Sequence, residues 1–417
     1  MDDNRAMWAE VDAQGRLVMP PEMVARFDLK PGARLRVEDA ANNLRLHRPV
    51  SQLAKVYIEP TNRCNITCVT CMRNIWDEPL GKMSRATFEH ILDGLQQITP
   101  RPRVFFGGIG EPLFHTKTLE MIERVRAIGA PVEIITNAIL LNAERSKRLI
   151  DAGIETLWVS IDGAKPESYE DVRLGAELPR VLDNVQTFRS LRHHSFRPMP
   201  EIGINFVAMK RNIQDLQEVL KIAASIGARR FMVSNVLPYD REMNQETLYN
   251  EALINIAYLP SKWLPRLSIP KMDLNDLTRD SFFRAITSGW NVTFAGNNFG
   301  GSNDVCNFIE SGAMAIGWDG SVAPCIPLLH THTTFLRKRE RLIKRHVIGK
   351  VGEKKLIDLW NDPAYIAYRE RVHSFAFAPC SFCGGCDMLD SNAEDCLGNQ
   401  FPVCGGCLWV QALIQCP

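Results

Sequence analysis

Long apolar runs are missing from this chain: nowhere do 18 consecutive apolar residues occur, so no membrane-spanning helix is expected. The first residues, MDDNRAMWAEVD, are acidic and polar where a secretory signal would be basic and then apolar. An excess of charge is missing too. Lys and Arg number 49 against 48 Asp and Glu, a balance that argues against a broad nucleic-acid surface or an acidic tail. The expectation is a cytoplasmic protein, and that compartment does not maintain disulfides. Cysteine itself is absent between Cys71 and Cys306.

What is there is unevenly placed. The 417 residues, 45% hydrophobic and 23% charged, suffice for two or three globular domains. Of 12 cysteines, three sit in Cys64-Asn-Ile-Thr-Cys68-Val-Thr-Cys71 and all the others fall between Cys306 and Cys416. Reduced cysteines in such groups point to metal ligands, with one centre in the middle of the chain and further centres in a C-terminal domain. Three thiolates spaced C-x3-C-x2-C on one loop can hold three corners of a cubic iron-sulfur cluster and leave one iron open. Electron-transfer clusters are instead closed by four cysteines. A zinc knuckle short of a ligand and three unrelated buried thiols are the competing readings, although zinc sites favour C-x2-C pairs with a fourth ligand close by.

From Val56 to about Asn235 short apolar, β-branched runs alternate with amphipathic stretches. Strands are expected at 56–59, 104–106, 132–136, 157–161, 202–207 and 231–233, and helices near 84–98, 116–128, 144–152, 179–192 and 213–226. Six such units make an α/β fold, a partial (β/α)6 barrel, whose chemistry belongs at the carboxyl ends of its strands. The cysteine loop follows the first strand.

The later strands also end in ligand-friendly residues. After the second comes Phe105-Phe106-Gly107-Gly108-Ile109-Gly110-Glu111-Pro112, where glycines let the backbone approach a ligand and donate N–H groups. The third ends in Thr136-Asn137 and the fourth in Ser160-Ile161-Asp162-Gly163; the fifth offers Asn205 and the sixth Ser234 and Asn235. Any one of these side chains could simply cap the next helix. Five in succession at the same ends form a pattern, and with the cysteine loop they resemble the radical S-adenosylmethionine superfamily.

That resemblance implies a four-iron, four-sulfur cluster on Cys64, Cys68 and Cys71 with its open iron chelated by S-adenosylmethionine. It further implies that Gly108, Gly110 and Glu111 contact the methionine amine, and that Thr136, Asn137, Ser160, Asp162 and Asn205 line the rest of the cofactor site. Two residues depart from the family's pattern. Ala138 stands where glycine is usual, and Thr70 where an aromatic usually packs on adenine, which leaves Met72 or Ile139 for that role.

Residues 1–50 read separately, as short strands around Gln14-Gly15, a helix opened by Pro20-Pro21, and a turn at Lys30-Pro31-Gly32. GRLVMPPEMVARFDLKPGARLRVED resembles the swapped-hairpin domain of AbrB/SpoVT type, which implies a dimerisation or docking module ahead of DNA binding. Residues 51–236 would then be the barrel and 237–305 a bridge across its mouth. The bridge's aromatics, Tyr239, Tyr249, Tyr258, Trp263, Phe282, Phe283 and Trp290, are expected in the core.

Residues 306–417 open with Cys306, Gly320 and Cys325, continue through a strand and a Leu-Trp-Asn helix, and end with Cys380, Cys383, Cys386, Cys396, Cys404, Cys407 and Cys416. This order resembles the SPASM extension of peptide- and protein-maturing radical enzymes and implies one or two auxiliary iron-sulfur clusters. A zinc ribbon on Cys380/Cys383 and Cys404/Cys407 would strand five other cysteines. The basic run from Arg337 to Arg341 reads as a solvated helix face.

The strings CMRNIWDEPLGKMS, GGIGEPLFH and FPVCGGCLWVQALIQCP resemble the radical maturases of tungsten cofactor oxidoreductases. That implies an oxygen-sensitive enzyme that reductively cleaves S-adenosylmethionine to a 5′-deoxyadenosyl radical. It would act on a protein or its bound cofactor and be fed by a reductant such as ferredoxin or flavodoxin. A peptide maturase, a small-metabolite radical enzyme and a redox-sensing DNA-binding regulator are the rivals. No catalytic acid or base stands out.

Overall fold

A computed structural model describes residues 7–39, 44–195, 199–249, 252–253, 263–295, 297–298 and 304–417. Its centre is a parallel sheet whose strands are β1 (Lys55–Ile58), β2 (Arg103–Phe106), β3 (Val132–Thr136), β4 (Thr156–Ser160), β5 (Glu201–Ala208) and β6 (Arg230–Asn235), adjacent in chain order. Helices α1 (Arg85–Gln96), α2 (Thr118–Ala127), α3 (Ala143–Ala152), α4 (Leu178–His194) and α5 (Leu216–Ser225) connect them. These bounds match the sequence expectation within a few residues, because an apolar strand covered on both faces has a distinct composition. Val56, Ile58, Val104, Phe106, Val132 and Ile134 are fully buried.

Local sequence sets the helix ends. Ser84 opens α1 by accepting from Thr87 N–H, and Asn142 opens α3 by accepting from Arg145 N–H. Gly153 closes α3 at φ +71°, a left-handed conformation that favours glycine.

The sheet does not stop at six strands. Past β1 it continues into β7 (Ala313–Ile316), β8 (Ser321–Ala323) and β9 (Gly349–Lys350), giving nine strands in the order β6-β5-β4-β3-β2-β1-β7-β8-β9. β7 pairs parallel with β1, Ala313 opposite Lys55 and Ile316 opposite Ile58. The C-terminal region is thus joined to the barrel by backbone hydrogen bonds, and β1 lies inside the sheet. Trp360 fastens the same junction: its indole is fully buried, donates to Ser51 O at 2.7 Å and lies under the Arg369 guanidinium at 3.8 Å.

Two expectations need correction. The basic run from Arg337 is the turn and second strand of a hairpin, His332–Leu336 with Arg339–Ile343, and not a helix face. Alternation puts Arg341 inside, 4% exposed, where it donates to Leu389 O and Gly406 O at 2.6 Å each. Of the bridge aromatics, Tyr239, Tyr249 and Phe282 are buried, whereas Trp263, Phe283 and Trp290 are exposed. Tyr258 lies outside the described residues.

Gly203 faces Trp158 across β4 and β5, and a Cβ there would fall 2.5 Å from the indole, which is held by a hydrogen bond from Nε1 to Glu133. Gly203→Val is expected to lower the free energy of unfolding by about 1–3 kcal/mol through overpacking, read as an earlier urea midpoint. An unchanged midpoint would mean that the indole yields freely.

Candidate active site

At the carboxyl ends of β1 to β6 lies a cavity of about 290 Å³. Cys64, Cys68, Cys71, Gly108, Gly110, Glu111, Thr136, Asn137, Ser160, Asn205, Ser234 and Asn235 all line it. Asp162 does not. It is fully buried behind the wall, where it accepts from Val207 N–H and pairs with Arg173 at 2.6 Å. Thr70 and Met72 face the cavity and Ile139 does not.

The cysteine loop is held from several sides. Its Thr67–Cys68 segment pairs antiparallel with Arg173–Leu174. Arg173 reaches Cys68 Sγ at 3.8 Å, and Arg73 donates to Cys71 Sγ at 3.2 Å and to Ile66 O. Tyr239 donates its hydroxyl proton to Val69 O and accepts from Asn74. Burial pushes the Cys64 thiol up and the Cys68 thiol up to about 11, with Arg173 opposing the rise at Cys68.

The glycine turn is shaped by what it rests on. Gly108 has φ +151°, and a Cβ there would lie 2.7 Å from Glu59 Cγ; at Gly110 a Cβ would lie 2.1 Å from Thr61 O. Ile109 N–H donates to Glu59 Oε2 at 2.9 Å. Glu111 uses both oxygens internally: Oε1 accepts from Leu113 N–H and the Thr136 hydroxyl, Oε2 from Asn137 N–H. Burial nevertheless raises its pKa, and its visible task is to hold the ends of β2 and β3 together. Ala138 takes φ +59° where the sequence departs from glycine, a strained backbone for alanine.

Several participants escaped the sequence. Arg173 lies over a hundred residues from the loop it braces, and Ile414 and Gln415 of the tail line the cavity. Leu413 O accepts from both the backbone and side-chain nitrogens of Asn235, and Gln415 N–H donates to Ser234 Oγ at 3.0 Å. Glu59, just past β1, and His330 also belong to this frame. The only local signal was an acidic residue ending an apolar strand.

A second, smaller cavity of about 50 Å³ lies in the C-terminal region and is lined by Cys306, Cys325, Cys404 and Cys407. Burial, reinforced by the neighbouring thiols, pushes Cys306 up to about 12 and Cys325 well above its ordinary value. Four such groups lose protons together only against a bound positive charge, as a metal centre supplies. Cys404 and Cys407 therefore sit with Cys306 and Cys325, against the ribbon that would pair them with Cys380 and Cys383. Cys380 begins a short helix ending at Cys383, and Cys386 and Cys396 lie near enough to raise its pKa, after burial, to about 11. Cys416 accepts from Trp409 Nε1 at 3.4 Å, and burial, with Cys407 adding to it, pushes its thiol up.

This arrangement defines a class. Residues 58–237 match the Radical SAM superfamily and residues 306–387 the SPASM iron-sulfur cluster-binding domain. The chain is a radical SAM enzyme with a SPASM domain, a pairing that brings a four-iron, four-sulfur cluster, S-adenosylmethionine and auxiliary clusters. Among curated relatives, it is 28% identical to the tungsten-containing aldehyde ferredoxin oxidoreductase cofactor-modifying protein of Pyrococcus furiosus, over 87% of this chain and 96% of that protein. It is 25% identical to the mycofactocin maturase MftC of Mycobacterium ulcerans, over 82% of each. The solved structure of native anSMEcpe with bound AdoMet shares the fold at TM-score 0.53 and 15% identity, over 86% of this chain and 96% of that one. Among the described residues no helix is long and apolar enough to cross a membrane.

His330 bridges two carboxylates, Glu59 at 3.0 Å through Nε2 and Glu78 at 2.7 Å through Nδ1, beneath the Trp76 ring. Burial disfavours its charged form, but the two carboxylates outweigh it and hold the pKa up at about 9. A raised histidine pKa stabilises the fold fully below the unfolded value, about 6.5, and that contribution is lost as pH rises through about 9. Urea denaturation should lose on the order of 3 kcal/mol across this window relative to His330→Gln. Parallel pH profiles for the two proteins would refute the bridge.

Proposed function

We propose that this chain acts in the maturation of a tungsten-containing oxidoreductase, modifying a side chain of that protein or the cofactor it carries. The observation that carries the reading is the cavity itself: three thiols on one loop, facing polar strand ends and roofed by the C-terminal tail. Similarity along nearly the whole length of the Pyrococcus furiosus protein favours tungsten-enzyme maturation over other radical chemistry.

The residues present fit the group. Cys64, Cys68 and Cys71 would hold three irons, and Arg73 and Arg173 beside their sulfurs offset the negative charge of a thiolate-bound cluster. Asn205 Oδ1 is buried without a hydrogen-bond partner and belongs to the cavity wall, as a waiting cofactor contact would. Gly108, Gly110, Thr136, Asn137 and Ser160, which line the same cavity, would supply the remaining contacts to S-adenosylmethionine, with Glu111 shaping the turn and Asp162 orienting Arg173. When bound, the cluster and S-adenosylmethionine supply a primary carbon radical able to abstract hydrogen from unactivated carbon. The protein's own work is positioning and the exclusion of water. Met72, Val236 and Tyr239 pack into one apolar cluster against the loop, and Gln415 and Ile414 close the opposite side.

Cys306, Cys325, Cys404 and Cys407 would hold one auxiliary cluster and Cys380, Cys383, Cys386 and Cys396 a second, leaving Cys416 free of both. The substrate would be a protein or peptide, and the electron donor a ferredoxin or flavodoxin. A peptide maturase is the second reading, favoured by similarity to MftC over most of both chains.

The test is anaerobic: reduced, cluster-loaded protein with S-adenosylmethionine, scored for 5′-deoxyadenosine with and without a candidate apo-oxidoreductase. Product should rise several-fold with the partner. Product unchanged by it would sink the tungsten assignment and favour a peptide or metabolite. Cys68→Ala should cut product by about a hundredfold or more with the circular dichroism spectrum kept, because the chemistry belongs to the cofactor. Retained turnover in that variant would refute the ligand assignment.

A further inference from the structure

Away from both thiol-lined cavities, three ligand-type side chains meet where the N-terminal segment docks on the C-terminal region. His47 follows the strand Leu44–Leu46, Glu310 ends the helix Asn307–Glu310, and His373 lies on the helix Pro363–Ser374. One donor atom from each lies within 4.8 Å of the other two. Both imidazoles are 8% exposed. His47 Nδ1 is 2.9 Å from Glu310 Oε2, and His373 Nε2 is 2.9 Å from Glu310 Oε1. The far nitrogen of His47, Nε2, is 2.8 Å from Glu38 Oε2.

Two carboxylates, Glu38 and Glu310, face the two ring nitrogens of His47, and Glu310 also faces His373. A neutral imidazole carries one N–H and can donate to Glu38 or to Glu310 but not to both, whereas a protonated one donates to each; a metal on Nδ1 is the other way to satisfy both carboxylates. His373 Nε2 faces only Glu310 Oε1, at 2.9 Å and too poorly aligned for a full hydrogen bond. One divalent cation would satisfy all of these groups at once. It takes lone pairs from His47 Nδ1, His373 Nε2 and a Glu310 oxygen, while His47 Nε2–H donates to Glu38. That is the arrangement in which a carboxylate orients a metal-bound histidine. Two imidazoles and one carboxylate, with a water in the fourth position, are a zinc donor set.

Arg36 is the competing cation. Its guanidinium lies 2.9 and 3.2 Å from the two ring nitrogens of His47, 3.6 Å from Glu310 and 3.9 Å from Glu38. Glu38 can keep Arg36 as its partner when a metal takes Glu310, because the two carboxylates stand on opposite sides of the His47 ring. A clasp made only of these side chains is therefore the alternative that the test must separate.

We propose that His47, Glu310 and His373 form a zinc site that staples the N-terminal segment to the helices Asn307–Glu310 and Pro363–Ser374. The two imidazoles come from chain segments more than 300 residues apart, so the ion would close a long loop and stabilise the folded form by mass action.

Full-length protein with its iron-sulfur clusters loaded is incubated with zinc chloride, desalted and analysed by elemental mass spectrometry and zinc-edge X-ray absorption. The expected result is about one zinc per chain with nitrogen and oxygen neighbours at about 2.0–2.1 Å and no sulfur at about 2.3 Å. Zinc should also raise the thermal unfolding midpoint. His373→Gln and Glu310→Gln should each lose the zinc and the thermal shift while keeping their iron. His47→Gln, which leaves the C-terminal core unaltered, gives the same reading if either of those variants fails to fold. No zinc in the wild-type protein, equal zinc in the variants, or a sulfur-dominated shell would each overturn the site in favour of the Arg36 clasp.

Discussion

A carboxylate buried at the end of an interior strand must have its charge met, and Glu59 is such a group, 1% exposed at the carboxyl end of β1. The charge is met from two directions. Ile109 N–H donates to one oxygen from the glycine turn after β2, and His330 approaches from the C-terminal region. Glu59 therefore fixes where the glycine turn lies relative to the cysteine loop, and couples both to a residue 271 positions away. Gly108 and Gly110 follow from the same constraint, since any side chain there would strike Glu59 or the backbone at Thr61 and Asn62.

The sheet carries that coupling further. Because β7 pairs parallel with β1, the helix after Cys306 and the strand that leads to Cys325 extend the same framework that presents Cys64, Cys68 and Cys71. Two cavities lined by thiols stand on one continuous sheet, and their relative position depends on backbone hydrogen bonds, not on a linker. Positioning is the demand that radical chemistry makes of a protein, because the reactive carbon has to meet one C–H bond and little else.

What could be read from the sequence was whatever has a short period or a short span. Apolar β-branched runs between amphipathic stretches gave all six parallel strands, and the C-x3-C-x2-C spacing marked the loop whose three thiols share a cavity. What could not be read has long span. Arg173 bracing Cys68 and His330 between Glu59 and Glu78 are set by tertiary packing, which leaves no periodic trace. The basic run from Arg337 misled because its charges suggested a solvated face, while strand alternation sends Arg341 inward to two carbonyls. The late cysteines could not be apportioned because Cys306 and Cys325 join Cys404 and Cys407 only once the chain has folded back.

The tail sharpens the same point. Between Cys407, in the auxiliary cavity, and Gln415, in the main one, lie seven residues. Leu413 O accepts from the end of β6, and Gln415 N–H donates to Ser234 on that strand. A segment that short and pinned at both ends cannot move at one end alone. The wall facing the strand ends is thus tied, through seven residues, to the second thiol-lined cavity. The C-terminal domain here is part of the cavity's architecture as well as a holder of cysteines.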